Sequence, residues 1–250
     1  MRPSFRTSLF VVGAITALFA AGCSIDVETP DIELGDRSKG ELGKLSFEVS
    51  SSDCLLGCGL DKPALQGSLV TVIASNIERD THLTARLVGG GRSKIVDQRE
   101  SCSSEGTRPC SVSVDIQVDD AGNPKLEMTT GQNLVEDRIA VPVRAAARIE
   151  LTVTANEQPV AIESDGTYRV HAGESLRLRS RVFAADGKET VFTKHGVTHE
   201  YGNTKVVRSS GYGFLGSTNV EDMIAGEAGE ASVLVNAVGA QSVARFRVEK

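Results

Sequence analysis

Ser111-Val-Ser-Val-Asp-Ile-Gln-Val118 alternates polar and apolar side chains without a break. Successive side chains of a β-strand point to opposite faces. The run therefore sends Val112, Val114, Ile116 and Val118 into a core and Ser111, Ser113, Asp115 and Gln117 into water. The same period of two recurs along the chain. Leu45, Phe47 and Val49 follow it, as do Leu83, Ala85 and Leu87, then Ile139, Val141 and Val143, then Ile149, Leu151 and Val153. Later come Leu176, Leu178 and Val182 against Arg177, Arg179 and Arg181, then Ala231, Val233 and Val235, and last Ala244, Phe246 and Val248. Pro142 interrupts one run, which marks that strand as an edge or a bulge.

Turn residues separate these runs: Asp120-Ala-Gly-Asn-Pro124, Ser164-Asp-Gly166, Ala185-Asp-Gly187 and Val238-Gly239. Gly and Asn supply the positive φ that tight turns require. Helical spacing is absent apart from a possible turn at residues 220–224. Short strands with turns about every ten residues predict a sandwich or barrel. The length suits two domains of roughly 100 residues, with a boundary near Ala145-Ala-Ala147; one large sandwich is the alternative. Gly67-Ser-Leu-Val-Thr-Val and Gly173-Glu-Ser-Leu-Arg-Leu form a weak internal echo in favour of two units.

The N-terminus has the three parts of a secretion signal. Arg2 and Arg6 precede an apolar stretch from Leu9 to Ala21, and the small residues Ala20-Ala-Gly22 close the segment immediately before Cys23. The stretch is too short to span a bilayer, which needs roughly 18 residues or more. Residues 20–23 resemble the lipobox of bacterial lipoproteins, with Ala20 where that family most often has Leu. The resemblance implies cleavage before Cys23 and lipid on that cysteine, hence a membrane contact. Ser24, in place of an Asp, implies the outer membrane. An ordinary signal peptide, with Cys23 in a disulfide, is the competing reading. Residues 24–44 carry many charges and no apolar periodicity, as a solvated tether would.

Without the signal, 25 Lys and Arg face 33 Asp and Glu, a formal charge of −8. An acidic chain without a basic stripe argues against nucleic acid. Few aromatics and no Trp argue against a stacking platform. Export implies an oxidising compartment, so Cys54, Cys58, Cys102 and Cys110 are expected as disulfides. Local pairing and cross-pairing are both open, and zinc is a distant alternative for Cys-x3-Cys.

In the second half, Ile149-Glu-Leu-Thr-Val153, Val170-His-Ala-Gly-Glu-Ser-Leu-Arg-Leu178 and Val182-Phe-Ala-Ala-Asp-Gly187 precede Gly211-Tyr-Gly-Phe-Leu215, Ala225-Gly-Glu-Ala-Gly-Glu-Ala-Ser-Val233 and Arg245-Phe-Arg-Val248. Over residues 148–250 this resembles the bacterial immunoglobulin-like group 2 domain, without that family's usual Trp in the middle strand. The resemblance sharpens the expectation: an all-β chain with a signal peptide (1–22), a lipidated flexible tether (23–44) and two immunoglobulin-like β-sandwich domains in tandem (45–146 and 147–250).

Material for catalysis is thin. His195 and His199 have the i, i+4 spacing that suits a metal on a helix, but on a strand they lie about 13 Å apart. Ser209, Ser210 and Ser217 lack a nucleophile elbow. Gly89-Gly-Gly91 lacks the phosphate-loop pattern. Asp119-Asp120 and Glu221-Asp222 lack a calcium loop. Arg177, Arg179 and Arg181 share a strand face, either balanced by a neighbouring acidic strand or open to an acidic partner. No enzyme and no cofactor are expected. The expected function is a membrane-anchored envelope module for binding, adhesion or scaffolding, with a protein or envelope polymer as partner. The alternative is a small-ligand or glycan binder using sandwich-end loops, with Tyr201, Tyr212 and Phe214 as the aromatic candidates.

Overall fold

Alternation over Cys110–Val118 is realised as a strand whose Cys110, Val112, Val114, Ile116 and Val118 are all fully buried. Burying one such valine or isoleucine contributes about 1.5–3 kcal/mol, so the register cannot slip by one residue without exposing the whole set. A computed structural model describes residues 37–51, 54–102, 109–211 and 219–250, the side chains of 54–57 excepted. Among the described residues every regular element is a strand.

In the first half one sheet runs Ser46–Ser51, Ser68–Ile77, Cys110–Val118, Lys94–Ser101, extended at its first strand by Ser38–Lys39 and Cys54–Cys58. The facing sheet runs Val135–Ala140, Lys125–Thr129, Thr84–Val88. The first, second, fifth and fourth long strands thus face the seventh, sixth and third, the order of a constant-type immunoglobulin sandwich. The second half repeats the order. Arg148–Ala155, Ser175–Phe183, Val220–Ala225 and Val207–Ser209 form one sheet; Ala240–Glu249, Gly229–Ala237 and Thr198–Tyr201 form the other, with Thr167–His171 added parallel to Ala240–Glu249. The chain carries two immunoglobulin-like β-sandwiches.

Three local expectations need correction. Residues 220–224 are no helical turn: Val220–Ala225 is a strand that buries Met223 and Ala225 two apart and pairs with Ser175–Phe183. Tertiary pairing overrides the local 3.6-residue spacing there. The run Ile139, Val141, Val143 is not one strand. Val135–Ala140 ends before Pro142, and Val143–Arg144 pairs in parallel with Ala64–Leu65 in a separate sheet. Residues 38–44, expected in the tether, belong to the first sandwich: Ser38 and Lys39 pair with Phe47 and Ser46.

The two hydrophobic cores exchange one residue each. Val191, from the second half of the chain, is buried in the first core, and Leu65, from the first half, in the second. Backbone bonds fix the exchange. Leu65 N–H donates to Val191 O (3.0 Å), Val191 N–H to Pro63 O (2.8 Å), Leu69 N–H to Lys194 O (2.8 Å) and Thr193 N–H to Leu69 O (2.8 Å). Thr193 Oγ1 accepts from Thr71 N–H at 3.0 Å and donates to Ser50 O at 2.8 Å. Residues 191–194 therefore continue the line of Ser46–Ser51 alongside the start of Ser68–Ile77. Lys62 and Glu189 pair across the junction at 3.7 Å. Two glycines make its close approaches possible. Gly67 (φ 82°) has Val238 Cγ2 2.6 Å from where a Cβ would sit, and Gly239 (φ 101°) has Ala146 O at 2.5 Å. Both positions combine left-handed backbone with no room for a side chain.

Candidate functional site

The residues singled out in the sequence fall in different places. Cys23, Tyr212, Phe214 and Ser217 lie outside the described residues. Cys102 and Cys110 form a disulfide with Cα atoms 4.3 Å apart, joining the ends of adjacent strands whose register sets Ser101 opposite Ser111. Cys58 is also disulfide-bonded and buried; the side chain of Cys54 lies outside the described ones. Because Cys102 and Cys110 hold each other, cross-pairing between the two cysteine loops does not occur.

Arg177, Arg179 and Arg181 point outward between buried Leu176, Leu178, Ser180 and Val182. Arg177 Nε lies 2.9 Å from Asp222 Oδ1 on the adjacent strand. Arg181 Nε lies 2.9 Å from Glu189, and its guanidinium sits 5.1 Å from the Phe183 ring centroid. The neighbouring acids balance this part of the row. The acidic pairs are engaged too: Asp120 takes the Arg92 guanidinium at 2.7 Å, closing the turn that carries Gly89 to Gly91.

His195 and His199 do not converge on a shared site. His195 is exposed with φ 62°, in the left-handed region, whereas His199 faces inward on Thr198–Tyr201. Its Nδ1 lies 3.8 Å from Glu221 Oε2, and its buried Nε2 has no hydrogen-bond partner among the described residues. Tyr201 donates to Glu221 Oε1 at 2.6 Å. Burial lowers the His199 pKa against the opposing pull of the Glu221 charge, while burial, followed by the carboxylate, raises that of Tyr201. A histidine held below its unfolded value of about 6.5 costs nothing above that pH. As pH falls below it, the unfolded chain takes up a proton that the native chain refuses, and stability drops. Replacing His199 by Gln is expected to flatten the stability profile between pH 7 and 5. Denaturant midpoints that fall equally in parent and variant would remove His199 as the cause.

A richer assembly sits at the end of the first sandwich away from the junction. Leu69 and Ile77 mark the two ends of one strand, roughly 27 Å apart at 3.4 Å per residue, and Ile77 lies opposite Cys110. Here Lys44, Asn76, Ile77, Glu78, Leu83 and Glu136 line a cleft of about 320 Å3. Leu42 and Leu134, each two residues before a lining residue, are 50% and 62% exposed. His82 Nδ1 lies 3.2 Å from Glu100 Oε2, and Glu100 Oε1 lies 3.7 Å from Cys102 Sγ.

Asp137 holds this end in shape. Its carboxylate is fully buried and accepts backbone N–H bonds from Leu42, Lys44, Leu45 and Arg138, each at 2.8 Å. Burial pushes its pKa up, but the four N–H donors outweigh burial and leave it below the ordinary carboxylate value. Gly40 lies against the same carboxylate, where a Cβ would collide. The sequence offered no signal for this residue: Asp137 sits in Val135-Glu-Asp-Arg138 and looks like any solvated charge.

A second groove, of about 370 Å3, crosses the outer face of the second sandwich. Thr167, Asn203, Glu230, Ser232 and Arg245 line it, and it opens because Gly202 brings no side chain over Ser232.

No family model matches the chain, and no curated protein matches it. Solved structures do. FdeC, an Escherichia coli adhesin, is 17% identical with a TM-score of 0.30, over 85% of this chain and 65% of that one. The Yersinia pseudotuberculosis adhesin InvE is 11% identical with a TM-score of 0.31, over 86% of this chain and 62% of that one. Invasin, described as a bacterial integrin-binding protein, is 10% identical with a TM-score of 0.29, over 84% of this chain and 39% of that one. This chain spans less than two thirds of each, and its fold assignment rests on the strand pairing itself.

Proposed function

We propose that the chain is a lipid-anchored module of the bacterial envelope that binds a protein or envelope polymer and catalyses no reaction. Lipid on Cys23 ties it to the membrane, the outer membrane by the Ser24 signal. The interlocked sandwiches present the loop end of the first one as the contact surface. The observation that carries the reading is a cleft and a disulfide-closed corner at that end, with Leu42 and Leu134 exposed in the chain segments that lead into the cleft-lining Lys44 and Glu136. Carboxylates that would otherwise be material for catalysis have structural occupations: Asp137 binds backbone, Glu221 binds Tyr201, and Asp222 and Glu189 bind arginines.

Two experiments test the two parts. Cys23→Ala is expected to move the chain from the membrane pellet to the soluble fraction, or to leave it unprocessed. Membrane attachment that survives the substitution would sink the anchor. A photo-crosslinking residue at Leu134, in intact cells, is expected to give a discrete adduct that the same residue at Val243 does not. Equal labelling from both positions would remove the loop end from the proposal. The groove beside Arg245 favours a second reading, a small acidic or glycan ligand. In that case Arg245→Ala abolishes ligand binding and leaves the Leu134 adduct untouched.

A further inference from the structure

The corner that closes the loop end gathers two cysteine sulfurs, joined to each other in a disulfide, with a carboxylate and an imidazole. Cys102 Sγ, Cys110 Sγ and a Glu100 carboxylate oxygen all lie within 4.8 Å of one another. The other oxygen of that carboxylate lies 3.2 Å from His82 Nδ1. The four side chains come from the turn before Thr84–Val88, the end of Lys94–Ser101 and the start of Cys110–Val118, so the fold, and not a local motif, brings them together.

We propose that this corner is a redox-gated metal site, which takes one zinc-type ion when the disulfide is open. A dithiol is the required reductant. It gives two electrons and two protons to the Cys102–Cys110 bond and becomes a disulfide itself. The ion then displaces the two thiol protons and gains two thiolates, with Glu100 and His82 completing the set. The spacing suits this chemistry. Zinc takes sulfur at about 2.3 Å and carboxylate oxygen or imidazole nitrogen at about 2.0–2.2 Å. In a tetrahedron those lengths put sulfur about 3.6 Å from oxygen and nitrogen about 3.4 Å from oxygen. Glu100 Oε1 lies 3.7 Å from the Cys102 sulfur, close to the first of these lengths, while it is the other oxygen, Oε2, that lies 3.2 Å from the imidazole, so the imidazole has to turn to share the ion. Rotation of the exposed His82 about its side-chain bonds (85% exposed) lets both ligands meet one ion.

Charge favours it as well. Opening the disulfide beside Glu100 places two thiols next to a carboxylate, which opposes their ionisation. A bound dication reverses that opposition and deprotonates a coordinating thiol outright. Binding releases protons and so weakens as pH falls. Every ligand lies within the first sandwich, and the proposal stands apart from the membrane anchor and from the choice of partner.

The test uses the mature chain with Cys23→Ser, reduced by a phosphine under argon and titrated with zinc against a chromophoric chelator. The expected result is one tight ion per chain. It is lost when Cys102→Ser and Cys110→Ser are combined, and weakened at least 10-fold by His82→Ala and by Glu100→Gln. It is retained when Cys54→Ser and Cys58→Ser are combined, which separates this site from the other thiols that reduction exposes. Cobalt in place of zinc reads the ligand set directly, through its thiolate charge-transfer band. Zinc uptake by the oxidised chain at the same affinity overturns the proposal. So does uptake that survives the loss of Cys102 and Cys110, or uptake indifferent to both His82 and Glu100.

Discussion

Leu65→Ala is expected to destabilise both sandwiches together, by about 2–5 kcal/mol, the range for a buried leucine replaced by alanine. Leu65 is fully buried, belongs by sequence to the first half and packs in the core of the second. Its N–H is bonded to Val191, which is buried in the first core. Collapse around the missing side chain is hindered because Gly196 and Phe192 are packed beside it with no slack. The effect therefore spreads over a junction that both halves share. Two local probes separate a shared loss from a one-sided one. All three tyrosines, Tyr168, Tyr201 and Tyr212, belong to the second half, so tyrosine fluorescence reports on it, and hydrogen exchange over residues 68–77 reports on the first. In urea both are expected to move to the same lower midpoint. A first-half signal that keeps its midpoint would show that the sandwiches unfold independently.

Asp137→Ala is the second large effect, with an expected loss of about 3–5 kcal/mol. Four backbone N–H groups share this one carboxylate. A hydrogen bond to a charged group contributes about 1.5–3 kcal/mol, and an orphaned buried donor costs a comparable amount. The estimate stays below four times that value because the loop at residues 40–45 would open to water. Asp137→Asn is expected to lose about half as much, since the amide accepts through one atom and meets N–H groups with another N–H at the other. The pH dependence has a definite sign. The folded pKa lies below the unfolded one, so the contribution is complete above about pH 4, the unfolded value. It disappears as pH falls through the folded value. Denaturant midpoints at pH 7 and pH 3 should thus differ more in the parent chain than in Asp137→Ala. A variant as stable as the parent at pH 7 refutes the role assigned to this carboxylate.

Much of the architecture was legible because a half-buried strand writes its period into the chain. Val112 to Val118, Phe47 and Val49, Leu176 and Leu178, and Phe246 and Val248 are buried as the alternation requires. The Asp-Gly turns are present too, with Gly166 at φ 81° and Gly187 at φ 80°. Misreadings arose where few residues carry the pattern. Val220-Glu-Asp-Met-Ile-Ala225 fits a helical turn as well as a strand, and only pairing with Ser175–Phe183 decides between them.

The site residues divide in the same way. Spacing showed that four cysteines were available in local pairs, but not which sulfurs meet; the register that sets Ser101 opposite Ser111 settles one pair. The arginine row was visible as a shared face, yet the acid beside Arg177 comes from a strand 45 residues on, and the acid beside Arg181 from the segment after their own strand. His82, Glu100 and Asp137 gave no signal, being single polar residues in polar surroundings.

By itself the sequence determined most of the strands, their buried faces and the turns between them, because each follows from side-chain periodicity and backbone freedom over a few residues; it left one large sandwich open beside two, and the strand pairing decided for two. Only the tertiary structure decided how the halves join. Leu65 and Val191 lie in short apolar stretches without a period, and nothing local says that each enters the other half's core. It also decided that Asp137 is a clamp and that His82, Glu100 and two cysteines share a corner. Burial and partners are properties of the folded arrangement, set by contacts between residues tens of positions apart.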